Sequence, residues 1–223
     1  MELLEKEQKI YLLDDDNFDF PTLDMMDNDL VALGGDFHPK RLLNAYQNGL
    51  FPWFIDEYNY IHWYSPRKRM VLFPDEFKLS KSLKRVINNK GFKVKTNENF
   101  EEVIKRCASI KRTHEEDTWI SEEFIQAYTN MFKLGYAYSI ETYLDDKLVG
   151  GLYGLLIDDI FCGESMFSDE RDASKVAFYH LCSQAKANGI KLIDCQVYND
   201  HLASLGAKEI DREEYFAFIP NML

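Results

Sequence analysis

No stretch of this chain approaches the roughly 20 apolar residues that cross a bilayer. Its first residues, Met1-Glu2-Leu3-Leu4-Glu5-Lys6-Glu7, lack the basic-then-apolar order of a signal peptide. Neither a membrane span nor a secretory leader is expected. Cysteine is scarce: Cys107, Cys162, Cys182 and Cys195 are scattered, with no C-x-x-C pair. That spacing argues against a disulfide framework and against a zinc site, so reduced thiols in a cytoplasm, with no metal and no cofactor, are the expectation. The glycines form no phosphate loop, because Gly34-Gly35 is followed by neither the later glycine nor the Lys-Ser/Thr pair that such a loop needs. Repeats and low-complexity tracts are also missing.

What remains is a chain of 223 residues, 46% hydrophobic and 14% aromatic, which is enough for one domain with an appendage or two small domains. The net charge of -12 argues against a nucleic-acid partner for the molecule as a whole. The distribution says otherwise. Between Arg67 and Lys95 stand Arg67, Lys68, Arg69, Lys78, Lys81, Lys84, Arg85, Lys90, Lys93 and Lys95 against Asp75 and Glu76, so this segment carries +8 and the remainder -20. Such asymmetry fits a local phosphate-binding patch on an acidic body, although a solvated helix face with a lysine-rich edge strand accounts for it equally well.

Along the chain, Asp14-Asp15-Asp16-Asn17 reads as a turn and Gly34-Gly35 as a tight backbone turn. Pro39 opens a short helix that closes before Gly49. Leu50 to Phe54 and Ile61 to Pro66 are dense in aromatics and broken by proline, and they read as loops with anchoring rings. His62 within them reads as structural. Arg69 to Phe73 is a strand, and Ser80 caps a helix that sets Lys81, Lys84 and Arg85 on one face. Phe92 to Thr96 is a strand, Asn99 caps the next helix, Lys111 to Asp117 is a polar loop, and Ser121 caps a helix that stops at Gly135. Three strands follow, Ala137 to Tyr143, Lys147 to Ile157 and Ile160 to Met166, separated by Asp-Asp turns. Gly150, Gly151 and Gly154 in the middle strand mark a bulge or a close approach. A helix over Asp172 to Asn188, a strand over Lys191 to Val197, a short helix near Asp200 and a closing strand over Arg212 to Ile219 complete an α+β pattern.

Two of these strands carry polar groups where a buried strand should have none. Strand alternation puts Asp194 and Gln196 on one face, and Glu164 on a face with Met166. If the two strands are neighbours, two carboxylates and an amide converge beside apolar side chains. A buried carboxylate is costly unless it is paired or used. A bulge at Gly163 and a helix-capping role for Asp194 are the plainer readings of the same residues. Cys162 and Cys195 read as small core side chains.

The motifs Gly34-Gly35-Asp36, Phe51-Pro52-Trp53-Phe54, Ser65-Pro66-Arg67, Thr118-Trp119-Ile120, Gly150-Gly151-Leu152-Tyr153-Gly154, Gly163-Glu164-Ser165-Met166-Phe167-Ser168, Ala173-Ser174-Lys175, Leu192-Ile193-Asp194-Cys195-Gln196 and His201 to Ala207, in this order, resemble those of leucyl/phenylalanyl-tRNA–protein transferases. The resemblance runs from about residue 30 to 212. It implies a GNAT-like (N-acetyltransferase-like) C-terminal domain over 69–223 behind a small N-terminal α/β domain over 1–68. It implies transfer of Leu or Phe from aminoacyl-tRNA to proteins that begin with Arg or Lys, marking them for degradation. Two departures stand out: Trp63-Tyr64-Ser65-Pro66 where the family has Trp-Trp-Ser-Pro, and Arg67-Lys68-Arg69 after Pro66. Neither is expected to touch the chemistry.

By resemblance, Asp194 and Gln196 form the catalytic pair with Glu164 beside them; either Gln196, oriented by Asp194, takes or relays the amine proton, or, an amide being a poor base, Gln196 orients the amine and Asp194 accepts the proton directly or through water. Glu164 and Asp194 together would supply the charge that selects an N-terminal Arg or Lys. The amino acid pocket would be lined by Leu152, Phe161, Gly163, Met166, Phe178, Leu181 and Ile193. Trp53 would stack on the terminal adenine with Tyr46 nearby, and Lys81, Lys84 and Arg85 would hold tRNA phosphates. A monomer is expected. Two alternatives stand beside this. An acyl-CoA N-acetyltransferase wants a glycine-bearing pyrophosphate turn where this chain has Ser168-Asp169-Glu170-Arg171-Asp172. A non-catalytic tRNA-binding protein would leave Glu164, Asp194 and Gln196 without a use.

Overall fold

The computed structural model describes residues 9–14, 17–110 and 120–220. Asp15 and Asp16 of the first turn, the Lys111 to Asp117 loop, and Thr118 and Trp119 lie outside the described residues. In chain order the elements are β1 (Tyr11–Leu13), β2 (Leu30–Gly34), α1 (Pro39–Gln47), β3 (Phe51–Ile55), β4 (Ile61–Tyr64), β5 (Lys68–Leu72), α2 (Lys81–Asn89), β6 (Lys93–Thr96), α3 (Phe100–Ala108) and α4 (Glu122–Lys133). The second half adds β7 (Ala137–Leu144), β8 (Lys147–Ile157), β9 (Ile160–Ser168), α5 (Ala173–Ala187), β10 (Leu192–Gln196), α6 (Asp200–Ser204), β11 (Lys208–Asp211) and α7 (Arg212–Phe216).

The strands form two sheets. The first is β1-β2-β4-β3, and the second is β11-β5-β10-β9-β8-β7-β6. In the larger sheet β9 and β10 run parallel, while the pairs on either side of them are antiparallel. The Asp145-Asp146 turn explains part of this meander: both residues take positive φ (49° and 60°), the two-residue geometry whose twist matches antiparallel strands. Helices α3 and α4 bury Phe100, Val103, Phe124 and Tyr128 on one face of the sheet, in an apolar cluster shared with Trp63 of the first sheet. Helix α5 buries Ala177, Phe178 and Leu181 against Leu152, Phe161 and Ile193 on the other face. Among the described residues no helix is long and apolar enough to cross a membrane.

Four sequence expectations need correction. Residues 50–54 and 61–66 are not loops, since β3 and β4 pair there. Aromatic side chains favour a half-buried pleated surface, and Pro52 is tolerated because β3 is an edge strand. Residues 212–219 form no closing strand. The last strand, β11, ends at Asp211, and Arg212 turns inward to donate from its guanidinium to the Met26 and Asn28 carbonyls, which starts α7 instead. Ser80 does accept from the Leu83 N–H. Asn99 and Ser121 stand at N-cap positions without a side-chain cap bond, and the Ser121 hydroxyl donates to Glu123.

The glycines of β8 reflect close approach. A Cβ on Gly150 would stand 2.5 Å from the Cβ of Ala173 and 2.9 Å from its carbonyl carbon, so this glycine lets the start of α5 lie on the sheet. Neither neighbour can rotate away. Gly150→Ala is expected to lower the unfolding free energy by about 1–3 kcal/mol. Denaturant unfolding should show this as a lower midpoint at unchanged slope.

Candidate active site

Strands β9 and β10 lie side by side, with Leu192 opposite Ile160 and Asp194 opposite Cys162. Each then becomes irregular. On β9, Tyr153 faces Ser165 and Gly154 faces Gly163, which leaves Glu164 as the extra residue of a bulge. The bulge carries Glu164 to Tyr46 and Tyr128, while Met166 belongs with Leu152 and Phe178 on the other side of the sheet. Glu164 and Met166 therefore do not share a face as simple alternation predicts. On β10 the register slips between Asp194 and Gln196, and Gln196 takes φ of 65°, a left-handed conformation that costs a non-glycine residue.

Asp194 is fully buried and satisfied from four sides. Arg69 donates to it through Nε at 2.8 Å and Nη2 at 2.6 Å, the Tyr215 hydroxyl at 3.0 Å, and the Gln196 N–H at 2.9 Å. The last bond holds the strained residue in place. Two expectations fall here. Arg69 is only 1% exposed and leaves the basic patch, so the run after Pro66 does reach the site. Asp194 is matched by Arg69 charge for charge, which removes it both as an open proton acceptor and as the charge that selects a cationic acceptor. A buried aspartate calls for a cation, and an arginine beside the apolar run Met70-Val71-Leu72 was the available signal for it.

Glu164 sits 9% exposed and, among the described residues, pairs with no cation. The hydroxyls of Tyr46 and Tyr128 lie 2.8 Å from Oε1 and 3.0 Å from Oε2, and 2.5 Å from each other. Gln196 donates from Nε2 to Oε1 at 3.0 Å, which turns its own amide oxygen away from Glu164. Burial pushes the Glu164 carboxyl up to about 7, against the lowering effect of the hydrogen bonds from Tyr46, Tyr128 and Gln196. Burial, and after it the Glu164 charge, raises both phenols. Tyr46 was expected near adenine, but it is buried and its hydroxyl is committed to Glu164. Tyr128 had no sequence signal beyond its place on the inner face of α4.

Just past the last parallel pair, a cavity of about 430 Å³ opens. Leu152, Phe161, Gly163, Met166, Phe178, Leu181 and Ile193 all line it, and so do Glu164, Asp194, Gln196 and Trp53. Sequence reasoning missed the Cys195, Val197, Tyr198, Asn199, His201 and Leu202 side of this wall. Tyr64, the other departure, packs edge-on to Trp53 at 4.7 Å and stands behind the cavity wall rather than on it. Burial raises the thiols of Cys162 and Cys195, away from the reactive thiolate form. Lys81, Lys84 and Arg85 stand exposed on α2, outside the cavity wall, and make no ion pair among the described residues. By contrast Lys68, Lys90, Lys93 and Lys95 pair with Asp211, Glu170, Asp146 and Glu98.

A mixed sheet with one inner parallel pair, helices on both faces and a cavity where that pair stops is a GNAT-like fold. The crystal structure of FemX shares this fold, with a TM-score of 0.51 at 12% identity over 77% of this chain and 66% of FemX. The family model described as leucyl/phenylalanyl-tRNA protein transferase matches residues 71–220, and the model of that family's N-terminal domain matches residues 35–67. A leucyl/phenylalanyl-tRNA–protein transferase of Flavobacterium johnsoniae is 49% identical over 210 residues, covering 94% of this chain and 99% of the relative. One of Dechloromonas aromatica is 50% identical over 201 residues, covering 89% and 86%. One of Shigella dysenteriae is 48% identical over 195 residues, covering 87% and 82%. The chain belongs to the leucyl/phenylalanyl-tRNA protein transferase family and is an aminoacyltransferase.

Removing one partner of a buried ion pair strands the other. Asp194→Asn and Arg69→Met should each lower the unfolding free energy by about 3–5 kcal/mol. The double variant should lose clearly less than the sum of the two, as a double-mutant cycle in denaturant would show.

Proposed function

We propose that this enzyme moves Leu or Phe from aminoacyl-tRNA to the α-amine of proteins that begin with Arg or Lys. The observation that carries this reading is the apolar wall from Leu152 to Ile193 meeting Glu164 and Gln196 in one cavity. The side chain of the transferred amino acid fills the apolar part. Its ester carbonyl then lies toward Gln196. Trp53, on the cavity wall, takes the terminal adenine by stacking. The free amide oxygen of Gln196 accepts an N–H of the incoming amine. Asp194 acts as a positioning residue, holding Gln196 through its backbone. The donor ester is already activated and the acceptor amine has an intrinsic pKa near 8, so orientation is the main demand, and it is worth roughly 7–11 kcal/mol.

An acyl-CoA substrate is disfavoured by the start of α5. Where a pyrophosphate would bind, Asp169 and Glu170 lie paired with Arg106 and Lys90, and no glycine turn presents backbone N–H groups. A reducing cytoplasm suits four free thiols. The chain is read as a monomer with a small unit up to residue 68 and the GNAT-like unit after it. The two family matches, to 35–67 and 71–220, support that division.

Transfer of labelled Phe from Phe-tRNA to a peptide beginning with Arg, and not to one beginning with Ala, is expected. Incorporation into both peptides or into neither would count against the proposed acceptor. The exposed face of α2 should hold phosphates. Replacing Lys81, Lys84 and Arg85 together by Ala should weaken Phe-tRNA binding and flatten its salt dependence by about 2 units of log–log slope, with the fold unchanged. An unaltered slope would place the tRNA elsewhere.

A further inference from the structure

The contacts around Glu164 form a closed ring that the protons of two phenols cannot complete. Tyr46 and Tyr128 each lie within hydrogen-bond reach of one carboxyl oxygen, and their hydroxyls lie 2.5 Å apart. That is three contacts, and each phenol has one proton to give. With Glu164 ionised and both phenols donating to it, the two hydroxyl oxygens face each other with no hydrogen between them. One more proton completes the ring. Placed on Glu164 Oε2 it is donated to Tyr128, Tyr128 donates to Tyr46, and Tyr46 donates to Oε1. Oε1 then accepts from Tyr46 and Gln196 with its two lone pairs. The ring is built to take one proton and release it.

We propose that Glu164, closed into a ring with Tyr46 and Tyr128, carries the proton of the transfer reaction. This rests on the aminoacyl-transfer reading above. The amine nitrogen attacks the ester carbonyl carbon, a C–N bond forms, and the carbonyl π pair moves to oxygen. The attacking nitrogen gives up one proton to Glu164. The tetrahedral centre collapses, the C–O bond breaks with its electron pair going to the ribose oxygen, and that oxygen takes the proton back from Glu164. One amide and one free tRNA hydroxyl result, and Glu164 returns ionised. Asp194 cannot play this part, because four donors already occupy its two oxygens. Among the described residues, the charged or titratable groups around Glu164 are Tyr46 on α1, Tyr128 on α4, Tyr153 on β8, Cys162 on its own strand, and Asp194 on β10 with Arg69 behind it. The neighbouring carboxylate, Asp194, is the one already matched by a cation. A carboxyl held near 7 suits a carrier that must both accept and return a proton at neutral pH.

The test is the pH dependence of kcat for Phe transfer to the Arg peptide, with both substrates saturating, in wild type, Glu164→Gln, Tyr128→Phe and Tyr46→Phe. Each variant is first shown to bind Phe-tRNA as wild type does. The acceptor amine contributes its own limb near pH 8 in every variant. Wild type should show a further loss of rate as pH falls through about 7. Glu164→Gln should lose this limb and at least 100-fold in kcat. Each Tyr→Phe variant opens the ring, taking a charge-assisted bond from the ionised carboxylate and only a weaker neutral one from the protonated form, so the limb should move up by about one pH unit with KM for Phe-tRNA little changed. A Glu164→Gln enzyme that keeps the acid limb, or Tyr→Phe variants whose limb stays in place, would overturn the proposal. A wild-type chain inactive at every pH would overturn the transfer reading and this proposal with it.

Discussion

The site depends on one ion pair. Arg69 on β5 grips Asp194 on β10 through two short hydrogen bonds, with Arg69 1% exposed and Asp194 fully buried. Two bare charges in that position would each cost several kcal/mol; together they form a rigid cross-link between neighbouring strands. Phe51 and Tyr215 lie under the guanidinium, at 4.7 and 4.6 Å from their ring centres. What the pair holds is a backbone conformation. Asp194 accepts the N–H of Gln196, so a residue with φ of 65° stays where β10 slips its register, and its amide faces the cavity. Strain of this kind persists only where the surroundings over-determine it.

Glu164 receives opposite treatment from the same fold. It is nearly as buried, yet its partners are phenols and an amide rather than a cation. Its carboxyl stands at about 7 folded against 4.5 for an ordinary glutamate. The native state therefore binds more protons than the unfolded chain between those values, and stability falls as pH rises through that window. The cost at neutral pH is about 3 kcal/mol for this one group. A bulge in β9 delivers Glu164 into this setting, and the central parallel pair ends beside it, so the irregularities of two adjacent strands create both the cavity and its polar wall.

Much of this was legible in the residues. The Asp-Asp turns and the apolar runs of β7, β8 and β9 announce the meander, and Ser80 and Pro39 mark where helices start. The apolar lining of the cavity follows from the motif set. What escaped was information carried by long-range pairing. Strand alternation from Glu164 to Met166 fails because a bulge inserts a residue, and a bulge is set by the partner strand. Arg69 looked like one more cation in a basic run because burial cannot be read from charge. Tyr46 and Tyr128, 82 residues apart in sequence, meet only when α1 and α4 pack together. The aromatic strands β3 and β4 were masked by Pro52, which only an edge position makes tolerable.

The central claim is that the fold gives its two buried carboxylates different partners: Asp194 a guanidinium, Glu164 a ring of hydroxyls that can take up a proton near neutrality. Carbon-13 NMR of the side-chain carboxyls, with glutamate labelled at Cδ and the Glu164 signal assigned by its loss in Glu164→Gln, reads this directly. The account predicts a Glu164 resonance that titrates with a midpoint near 7 in the free enzyme. A midpoint in the ordinary range around 4.5 would contradict it.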